Sequence, residues 1–248
     1  MVKIAYLFGL NYTNTKNELH GCHNDVDNMN IFLKQKGWST FVYKDSDFLI
    51  TRKFVLSKLL ELILTDVDEI FFHYSGHGSY IKDINDDETD GTDEGIVVYK
   101  DNGSRADLEL VIDDEIKGIL CCAREHQKMY LFFDCCHSGT IGDLNYNLYK
   151  KWNGTGGLTL INDGKQTETN AEIIIISGCL DNQTSCDAFI SNIHQGACTR
   201  SFLDCYKENI SWEQIIYNMQ KYMIENKYSQ IPTISSGKYL NLKSAIKI

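Results

Sequence analysis

The sequence predicts an α/β fold, a three-layer sandwich in which a mostly parallel sheet of about six strands carries helices on both faces. Short apolar runs alternate along the chain with longer stretches whose apolar residues recur at helical spacing. Several of the short runs, such as 173–176, are apolar at every position, which is typical of strands buried on both faces. Strands of this kind alternating with amphipathic helices indicate a parallel sheet covered on both sides.

The first half of the chain predicts three strands, at 3–10, 39–43 and 69–74. Asn24 is suited to cap the first helix and Gly37 to end it, because asparagine accepts a first-turn N–H and glycine adopts the left-handed conformation. Thr51 opens a second helix, whose apolar residues share one face: Val55, Leu59, Leu62 and Ile63.

The second half begins with the stretch Asp83–Glu94, which contains seven acidic residues and therefore predicts a loop. A short strand at 95–99, a helix capped by Asp113 and a strand at 129–134 follow. Between 140 and 171 the pattern is lost in polar residues and glycine, which predicts a flexible linker. Further predicted elements are a strand at 172–177 and helices at 199–209 and after Ser211.

Composition is typical of one domain spanning 1–248, since 248 residues with 43% hydrophobic content can supply a full core.

No apolar run reaches the roughly 18 residues that a membrane helix requires, and the N-terminus lacks a signal-peptide pattern. The nine cysteines are odd in number and include two adjacent pairs, which favours reduced thiols. We therefore expect a cytoplasmic protein that has no membrane partner.

The formal net charge of −10 argues against a nucleic-acid partner. Binding of phosphates requires clustered lysine and arginine, and no such cluster is present. Any charged partner is expected to be basic.

Two predicted strands end in chemically reactive residues. One continues into Ser75–Gly78 and the other into Asp134–Gly139. In open α/β sheets the reactive groups lie beyond the carboxyl ends of the strands. If the two strands are neighbours, His77 can face Cys136, which indicates acyl transfer by a cysteine hydrolase. Taken singly, each residue has a structural interpretation, a buried inert thiol and an ordinary histidine.

Two other interpretations are weaker. Adjacent cysteines do not readily chelate one tetrahedral zinc ion, and no second Cys-x-x-Cys accompanies the potential ligands, which are His73, Cys135, Cys136 and His137. A doubly wound nucleotide-binding domain needs Gly-x-Gly-x-x-Gly after the first strand, where this chain has Gly9-Leu10-Asn11-Tyr12.

The segments His73-Tyr74-Ser75-Gly76-His77-Gly78 and Asp134-Cys135-Cys136-His137-Ser138-Gly139 resemble the two catalytic signatures of the metacaspases, which are caspase-like cysteine peptidases. The resemblance spans nearly the whole chain in order, and the Gln-Ala-Cys-x-Gly signature of animal caspases is absent. It implies a caspase-like fold of the type I kind without a prodomain. Further matches lie at 21–25, 90–94, 177–179, 181–184 and 230–237.

The resemblance implies that Cys136 is the nucleophile and His77 the general base and acid, with Cys135 a neighbour that has no catalytic role. It also implies an oxyanion hole formed by the backbone N–H groups of Gly78 and Cys136. A glycine suits that role because the substrate carbonyl must approach the backbone closely.

Metacaspases cut after Arg or Lys, and the family's acidic P1 pocket corresponds to Asp25, Ser75 and Asp134, with Cys22 close by. A carboxylate pair can bind a guanidinium group in bidentate fashion. The structural alternative makes Asp25 a charge at a helix N-terminus and Asp134 a strand-end cap.

Many metacaspases need calcium, and the resemblance maps the ligands of Ca²⁺ onto acidic residues of separate loops. Carboxylate oxygens are the ligands that this hard cation prefers, although the spacing is not that of an EF-hand. The positions are Asp93, Asp113, Asp114 and Asp143.

The resemblance also divides the domain into a large-subunit-like part at 1–139, a linker at 140–171 and a small-subunit-like part at 172–248. Lys150, Lys151 and Lys165 make self-cleavage in the linker a secondary expectation. We expect a monomer that acts on peptides or proteins with Arg or Lys at P1. The competing hypothesis is a catalytically silent caspase-like module that binds calcium or a partner.

Overall fold

The computed structural model describes residues 2–82, 91–148, 157–164, 169–180, 187–190 and 193–248. The helices are α1 (Cys22–Gln35), α2 (Arg52–Leu64), α3 (Asp113–Leu120), α4 (Ala197–Cys205) and α5 (Trp212–Glu225). The strands are β1 (Lys3–Gly9), β2 (Ser39–Lys44), β3 (Glu69–Ser75), β4 (Gly78–Lys82), β5 (Thr92–Tyr99), β6 (Leu108–Ile112), β7 (Lys128–Asp134), β8 (Tyr146–Asn147), β9 (Ile161–Asn162), β10 (Glu172–Ser177), β11 (Asp187–Ile190), β12 (Ile193–Gly196) and β13 (Thr233–Ser236).

The main sheet has the strand order β2-β1-β3-β7-β10-β13-β8-β9. The first five strands in this order pair in parallel, and β13, β8 and β9 pair antiparallel. The predicted α/β class is confirmed, whereas the expected number of about six strands is too low. Three strands of this sheet, β8, β9 and β13, were not predicted, and the predicted strand at 95–99 lies in a separate sheet. Strands β8 and β9 have two residues each and lie where the sequence shows no strand pattern.

Helices cover both faces of this sheet, as predicted for strands that are apolar at every position. On one face, α2 and α3 contribute buried apolar residues to a core cluster with the sheet. On the other face, α1, α4 and α5 contribute to a second cluster. The strands between these two cores form the middle layer of a three-layer sandwich.

The acidic stretch departs from the prediction of a loop. Residues 92–94 begin β5, which pairs with β4 and β6 in a separate three-stranded antiparallel sheet. Asp93 and Glu94 are only 1% and 2% exposed. The loop prediction is therefore wrong for these residues, because strand pairing and burial override the repulsion of like charges; residues 83–90 lie outside the described part.

Three helices begin at other residues than predicted. Helix α4 spans Ala197–Cys205, where a helix at 199–209 was expected. Helix α1 begins at Cys22, and Asn24 lies inside its first turn, where its Nδ2 donates to the His194 carbonyl at 2.8 Å. Helix α3 begins at Asp113 itself, and Ile112 is the N-cap residue. Asn24 thus makes a tertiary contact instead of capping α1, whereas Asp113 accepts one N–H from the first turn of α3 and one from Glu94.

The predicted linker contains ordered structure in its described residues. Strands β8 and β9 join the edge of the main sheet, and Ile141, Leu144 and Leu148 are buried. Lys150 and Lys151, together with Lys165, lie outside the described residues. The division into two subunit-like parts stays a prediction.

No helix in the described ranges is both long enough and apolar enough to cross a membrane. The predicted cytoplasmic location stays a prediction.

Candidate active site

The two strands that carry the catalytic signatures are direct neighbours, as the site prediction requires. Strand β3 pairs in parallel with β7, and Ser75 lies opposite Asp134. Just beyond this pair, the Gly76 N–H donates to the Asp134 carbonyl at 3.3 Å. His77 and Cys136 each lie two residues beyond the register pair, so both follow the same edge of the sheet.

Gly78 packs directly against the backbone of Cys136. A Cβ at Gly78 would overlap with the Cys136 carbonyl oxygen and lie 2.9 Å from its carbonyl carbon. Any larger residue at position 78 would push the two backbone segments apart, so their close approach depends on glycine. The main chains of Gly78 and Cys136 therefore lie side by side, and the oxyanion hole formed by their N–H groups stays a prediction.

The His77 imidazole is oriented by a main-chain acceptor that the sequence did not reveal. Its Nε2 lies 2.8 Å from the carbonyl oxygen of Asn17 in the loop between β1 and α1. A carbonyl oxygen can only accept, so Nε2 carries a proton, and in the neutral ring Nδ1 is the nitrogen with the lone pair. Nδ1 is therefore the ring atom that can take a proton from a thiol.

The adjacent cysteines have different environments. Cys135 is fully buried, and this burial, reinforced by the nearby Cys179, raises the pKa of its thiol well above the ordinary value. Cys136 is partly exposed. A nucleophile must reach both substrate and base, so Cys136 fits that role and Cys135 does not.

The zinc interpretation is excluded by the placement of its potential ligands. His73 is fully buried, with Nε2 3.2 Å from Thr199 Oγ1, and burial lowers its pKa to about 3. Its ring packs against Phe132 in the core on the α4 side, whereas Cys135 belongs to the core on the opposite face.

The predicted P1 residues are brought together at the start of α4. Ser75 Oγ donates to Asp25 Oδ2 at 2.6 Å, and the Gly196 N–H donates to Asp25 Oδ1 at 2.8 Å. The Thr199 N–H, in the first turn of α4, donates to Asp134 Oδ2 at 2.7 Å. Both carboxyl groups thus lie at the N-terminus of α4, where the helix dipole favours negative charge.

Gly196 determines how closely the two carboxylates approach. A Cβ on Gly196 would overlap with Asp134 Oδ2 and lie 2.7 Å from Asp25 Oδ2. Both acids therefore pack against the same backbone carbon. Cys22, the fourth predicted P1 residue, is buried at the first position of α1, and its N–H donates to Asn11 Oδ1 at 3.0 Å.

Gly196 and Thr199 were not predicted from the sequence. Gly196 does precede a helical pattern, which is a visible signal of a helix start. The contact with Asp25 spans 171 residues of sequence, however, and only the fold brings these residues together.

Comparisons with known proteins identify the family. The model of the caspase domain matches residues 2–241. Metacaspase-1 of Schizosaccharomyces pombe is 30% identical over 98% of this chain and 69% of its own length. Metacaspase-1 of Meyerozyma guilliermondii is 31% identical over 95% of this chain and 69% of its own length.

The chain belongs to the metacaspases.

Solved structures agree with the fold of this metacaspase. A crystal structure of a protein from Geobacter sulfurreducens aligns with a TM-score of 0.68 and 22% identity over the whole of both chains. Caspase-1 from Spodoptera frugiperda aligns with a TM-score of 0.60 and 10% identity, covering 94% of this chain and 85% of its own. The metacaspase therefore has the caspase-like fold, and by family it is a cysteine peptidase that acts on proteins.

The predicted calcium ligands of the metacaspase include three buried carboxyl groups, those of Asp93, Asp113 and Asp143. Asp113 Oδ2 accepts the Glu94 N–H at 2.9 Å. Burial, and then the negative charges of Asp143 and Glu94, raise the pKa of Asp113 to about 9. The cluster therefore concentrates negative charge away from water, which a cation would relieve.

The donor chemistry of this acidic cluster fits a hard cation, because every candidate ligand offers carboxylate oxygens. The geometry is not that of a preformed site: among the described residues, no three His, Cys, Asp or Glu side chains are grouped to hold a metal ion. Lys117 Nζ lies 3.6 Å from Asp143 Oδ2, where it partly offsets the charge. Asp114 is half-buried, and its N–H donates to Asp113 Oδ1 at 2.9 Å.

Proposed function

We propose that this metacaspase is a calcium-stimulated endopeptidase that cleaves after Arg or Lys with Cys136 as nucleophile and His77 as general base and acid. One observation carries the proposal. Two carboxylates, Asp25 and Asp134, converge at Gly196, and Asp134 lies two residues before Cys136 on the same strand end. A basic P1 side chain bound there lies beside the scissile bond.

The chemistry follows from the orientation of His77. Nδ1 takes the proton of the Cys136 thiol, and the sulfur attacks the carbonyl carbon of the substrate. The N–H groups of Gly78 and Cys136 stabilise the negative charge that develops on the carbonyl oxygen. His77 then protonates the leaving amine, and a thioester remains on Cys136. Water hydrolyses this thioester, with His77 accepting the proton of the water and returning it to the sulfur.

The P1 preference follows from charge. Arginine offers a planar fork of donors to two carboxylates, lysine offers a point charge, and an aspartate side chain would be repelled. Asp25 and Asp134 are only 1% and 4% exposed, so the residues that cover them must shift before a P1 side chain can reach them.

Calcium stimulation is supported by the acidic cluster. Bound Ca²⁺ would neutralise the mutual repulsion of Asp93, Asp113 and Asp143, with Asp114 nearby as a further oxygen donor. Self-cleavage is the secondary part of the proposal, and its candidate sites are Lys150, Lys151 and Lys165.

A fluorogenic peptide panel tests the proposal. Peptides with Arg, Lys or Asp at P1 are assayed with calcium or with a chelator, and the intact mass of each sample is recorded to detect self-cleavage. We expect turnover of the Arg and Lys peptides only, higher with calcium and absent in Cys136→Ala and His77→Ala. Cys135→Ala is the matched control, because it removes the neighbouring buried thiol and should retain most of the turnover.

Each part of the proposal can fail separately. Turnover that survives in Cys136→Ala would show that the nucleophile is wrong, and turnover of the Asp peptide would show that the P1 assignment is wrong. Absence of turnover in the parent protein under every condition would favour the silent calcium- or partner-binding module. An unchanged mass after incubation with calcium would exclude self-cleavage.

A further inference from the structure

The main chain of His77 is held by two buried tyrosine hydroxyls. The His77 N–H donates to Tyr12 Oη at 3.0 Å, and Tyr74 Oη lies 2.8 Å from the His77 carbonyl oxygen, to which it can donate. The two hydroxyl oxygens are 2.9 Å apart. Both tyrosines are fully buried, in the loop after β1 and in β3 respectively.

Strand β5 closes this arrangement. The Val97 N–H donates to the His77 carbonyl at 2.9 Å, and the Val97 carbonyl lies 2.8 Å from each tyrosine hydroxyl. The two hydroxyl protons can be donated to the Val97 carbonyl, to the His77 carbonyl or between the two hydroxyls. The two tyrosines therefore form one connected hydrogen-bond network and not two separate bonds.

The residues around the two tyrosines leave space for the hydroxyls and hold Tyr12 in place. A Cβ at Gly76 would lie 2.5 Å from Tyr74 Oη and 2.8 Å from Tyr12 Oη, so glycine is needed there. Tyr12 has a positive φ of 49°, a backbone conformation that residues other than glycine rarely adopt. The Tyr12 N–H is held in this conformation by Asp45 Oδ2 at 2.7 Å.

The same loop also orients the imidazole. Asn17 provides the carbonyl that accepts from Nε2, and the Tyr12 ring lies against the His77 ring with centroids 4.9 Å apart. Burial raises the pKa of both tyrosines well above the ordinary value, so the hydroxyls keep their protons at any pH used in an assay.

We propose that Tyr12 and Tyr74 are positioning residues of the peptidase, whose paired hydroxyls fix the backbone of His77 so that Nδ1 faces the Cys136 thiol. Neither residue touches the substrate. Loss of either hydroxyl lets the imidazole shift, which slows proton transfer but leaves substrate binding unchanged. The inference rests on the proposed roles of His77 and Cys136.

The test compares Tyr12→Phe and Tyr74→Phe with Tyr130→Phe. Tyr130 is a matched control, because it is 3% exposed and its hydroxyl also donates to a backbone carbonyl, that of Lys247 at 2.8 Å, in the other core. Two readouts are taken: kcat and KM for the best peptide of the panel, and the pH dependence of Cys136 alkylation by iodoacetamide, followed by mass spectrometry. Alkylation needs neither substrate nor calcium.

We expect Tyr12→Phe and Tyr74→Phe to lower kcat by about 10- to 100-fold with little change in KM, as for a small displacement of a catalytic group. The pH dependence of alkylation should also shift in both, whereas Tyr130→Phe keeps kcat and the alkylation profile. Melting temperatures are compared for all three variants. If a phenylalanine variant at one position does not fold, the variant at the other position carries the test.

Equal behaviour of the three variants would overturn the inference. A reduced kcat accompanied by an unchanged alkylation profile would do so as well, because it would locate the effect away from the thiol and imidazole. Failure of the proposed function is a separate outcome from failure of this inference. Cys136→Ala and His77→Ala detect it, because they test the catalytic pair independently of the tyrosines.

Discussion

At the scale of single residues, the metacaspase depends on two glycines that permit close contact between charged or reacting groups. Because Gly78 has no Cβ, its backbone packs directly against the backbone of Cys136. Because Gly196 has no Cβ, the carboxyl groups of Asp25 and Asp134 both pack against its Cα. Neither residue has a side chain that does chemistry. Their contribution is the space that a Cβ would occupy, which is why chemical motifs in the sequence reveal Gly78 only through the family signature and do not reveal Gly196.

Gly196→Ala should impair recognition of a basic P1 residue. The added methyl group would overlap with Asp134 Oδ2 and crowd Asp25, so the carboxylates and the start of α4 must move apart. We expect kcat/KM for the Arg peptide to fall by at least about 10-fold, mainly through KM, since misplaced binding groups weaken orientation. Alkylation of Cys136 should be unchanged.

Gly118→Ala is the control for that substitution. Gly118 lies in α3, and a Cβ there would have no atom within 4 Å, so alanine should leave activity unchanged and stabilise the helix by about 0.5 to 1 kcal/mol. If Gly196→Ala retains the kinetics of the parent protein, Gly196 has no part in P1 recognition.

At the scale of elements, the loop between β1 and α1 is organised by one buried carboxylate. Asp45 is 2% exposed and accepts the N–H groups of Asn11 and Tyr12, the hydroxyl of Tyr99 at 2.7 Å and Nε2 of His23 at 2.6 Å. Burial alone would raise the pKa of Asp45, but these hydrogen bonds outweigh it and lower the pKa below the ordinary value. The loop that holds His77 is therefore attached to the core through a charged acceptor.

Acid should weaken this attachment. A carboxyl group whose pKa is lower in the folded than in the unfolded state stabilises the fold above the unfolded value of about 4, and this contribution is lost as the pH falls through the folded value. We expect Asp45→Asn to lower the free energy of unfolding by about 1.5 to 3 kcal/mol at pH 7, as for lost hydrogen bonds to a charged group. The difference from the parent protein should shrink at pH 3, measured by urea unfolding at both pH values.

Asp27→Asn is the control for the acid effect. Asp27 has a side chain that is 51% exposed and pairs with Lys44 at 2.7 Å, and an exposed pair contributes at most about 1 kcal/mol. A stability difference for Asp45→Asn that is the same at pH 3 and pH 7 would contradict the role of the ionised carboxylate.

At the scale of the whole molecule, negative charge is distributed unevenly. The chain carries a formal net charge of −10, and part of that charge is buried where β5, α3 and the turn at Asp143 meet. Buried like charges destabilise a fold unless a counter-ion or protonation relieves them. The raised pKa of Asp113 is the direct sign of this repulsion.

Calcium should therefore stabilise the folded protein as well as stimulate it. A ligand that binds only the native state raises its stability by RT ln(1 + [L]/Kd), which is about 1.4 kcal/mol at ten times the Kd. We expect added calcium to raise the melting temperature of the parent protein and to have much less effect on Asp143→Asn, whereas magnesium, which prefers a smaller octahedral site, should be less effective. Differential scanning fluorimetry measures both.

Asp66→Asn is the control for calcium binding, because the Asp66 side chain is 89% exposed and distant in sequence from the cluster. It should show the same calcium-dependent rise as the parent protein. An equal rise in Asp143→Asn, or none in the parent protein, would contradict a calcium site at the acidic cluster.

The sequence alone determined the α/β class, the five parallel strands of the main sheet and the two strand ends that carry His77 and Cys136. Strands that are apolar at every position, such as 173–176, are typical of a sheet that is buried on both faces. The motifs at 73–78 and 134–139 indicated the catalytic pair, because parallel neighbours end at the same edge. The family assignment, which the comparisons confirm, also followed from these motifs.

The tertiary structure decided the features that depend on contacts between distant segments. Asp93 and Glu94 lie in a buried strand and not in a loop because β4 and β6 pair with β5. The carbonyl of Asn17 and the hydroxyl of Tyr12 reach His77 across 60 and 65 residues of sequence. Local patterns of hydrophobicity and charge carry no information about such partners, since backbone carbonyls look alike in any sequence. The candidate catalytic residues were therefore visible in the chain, whereas the contacts that orient them appear only in the fold.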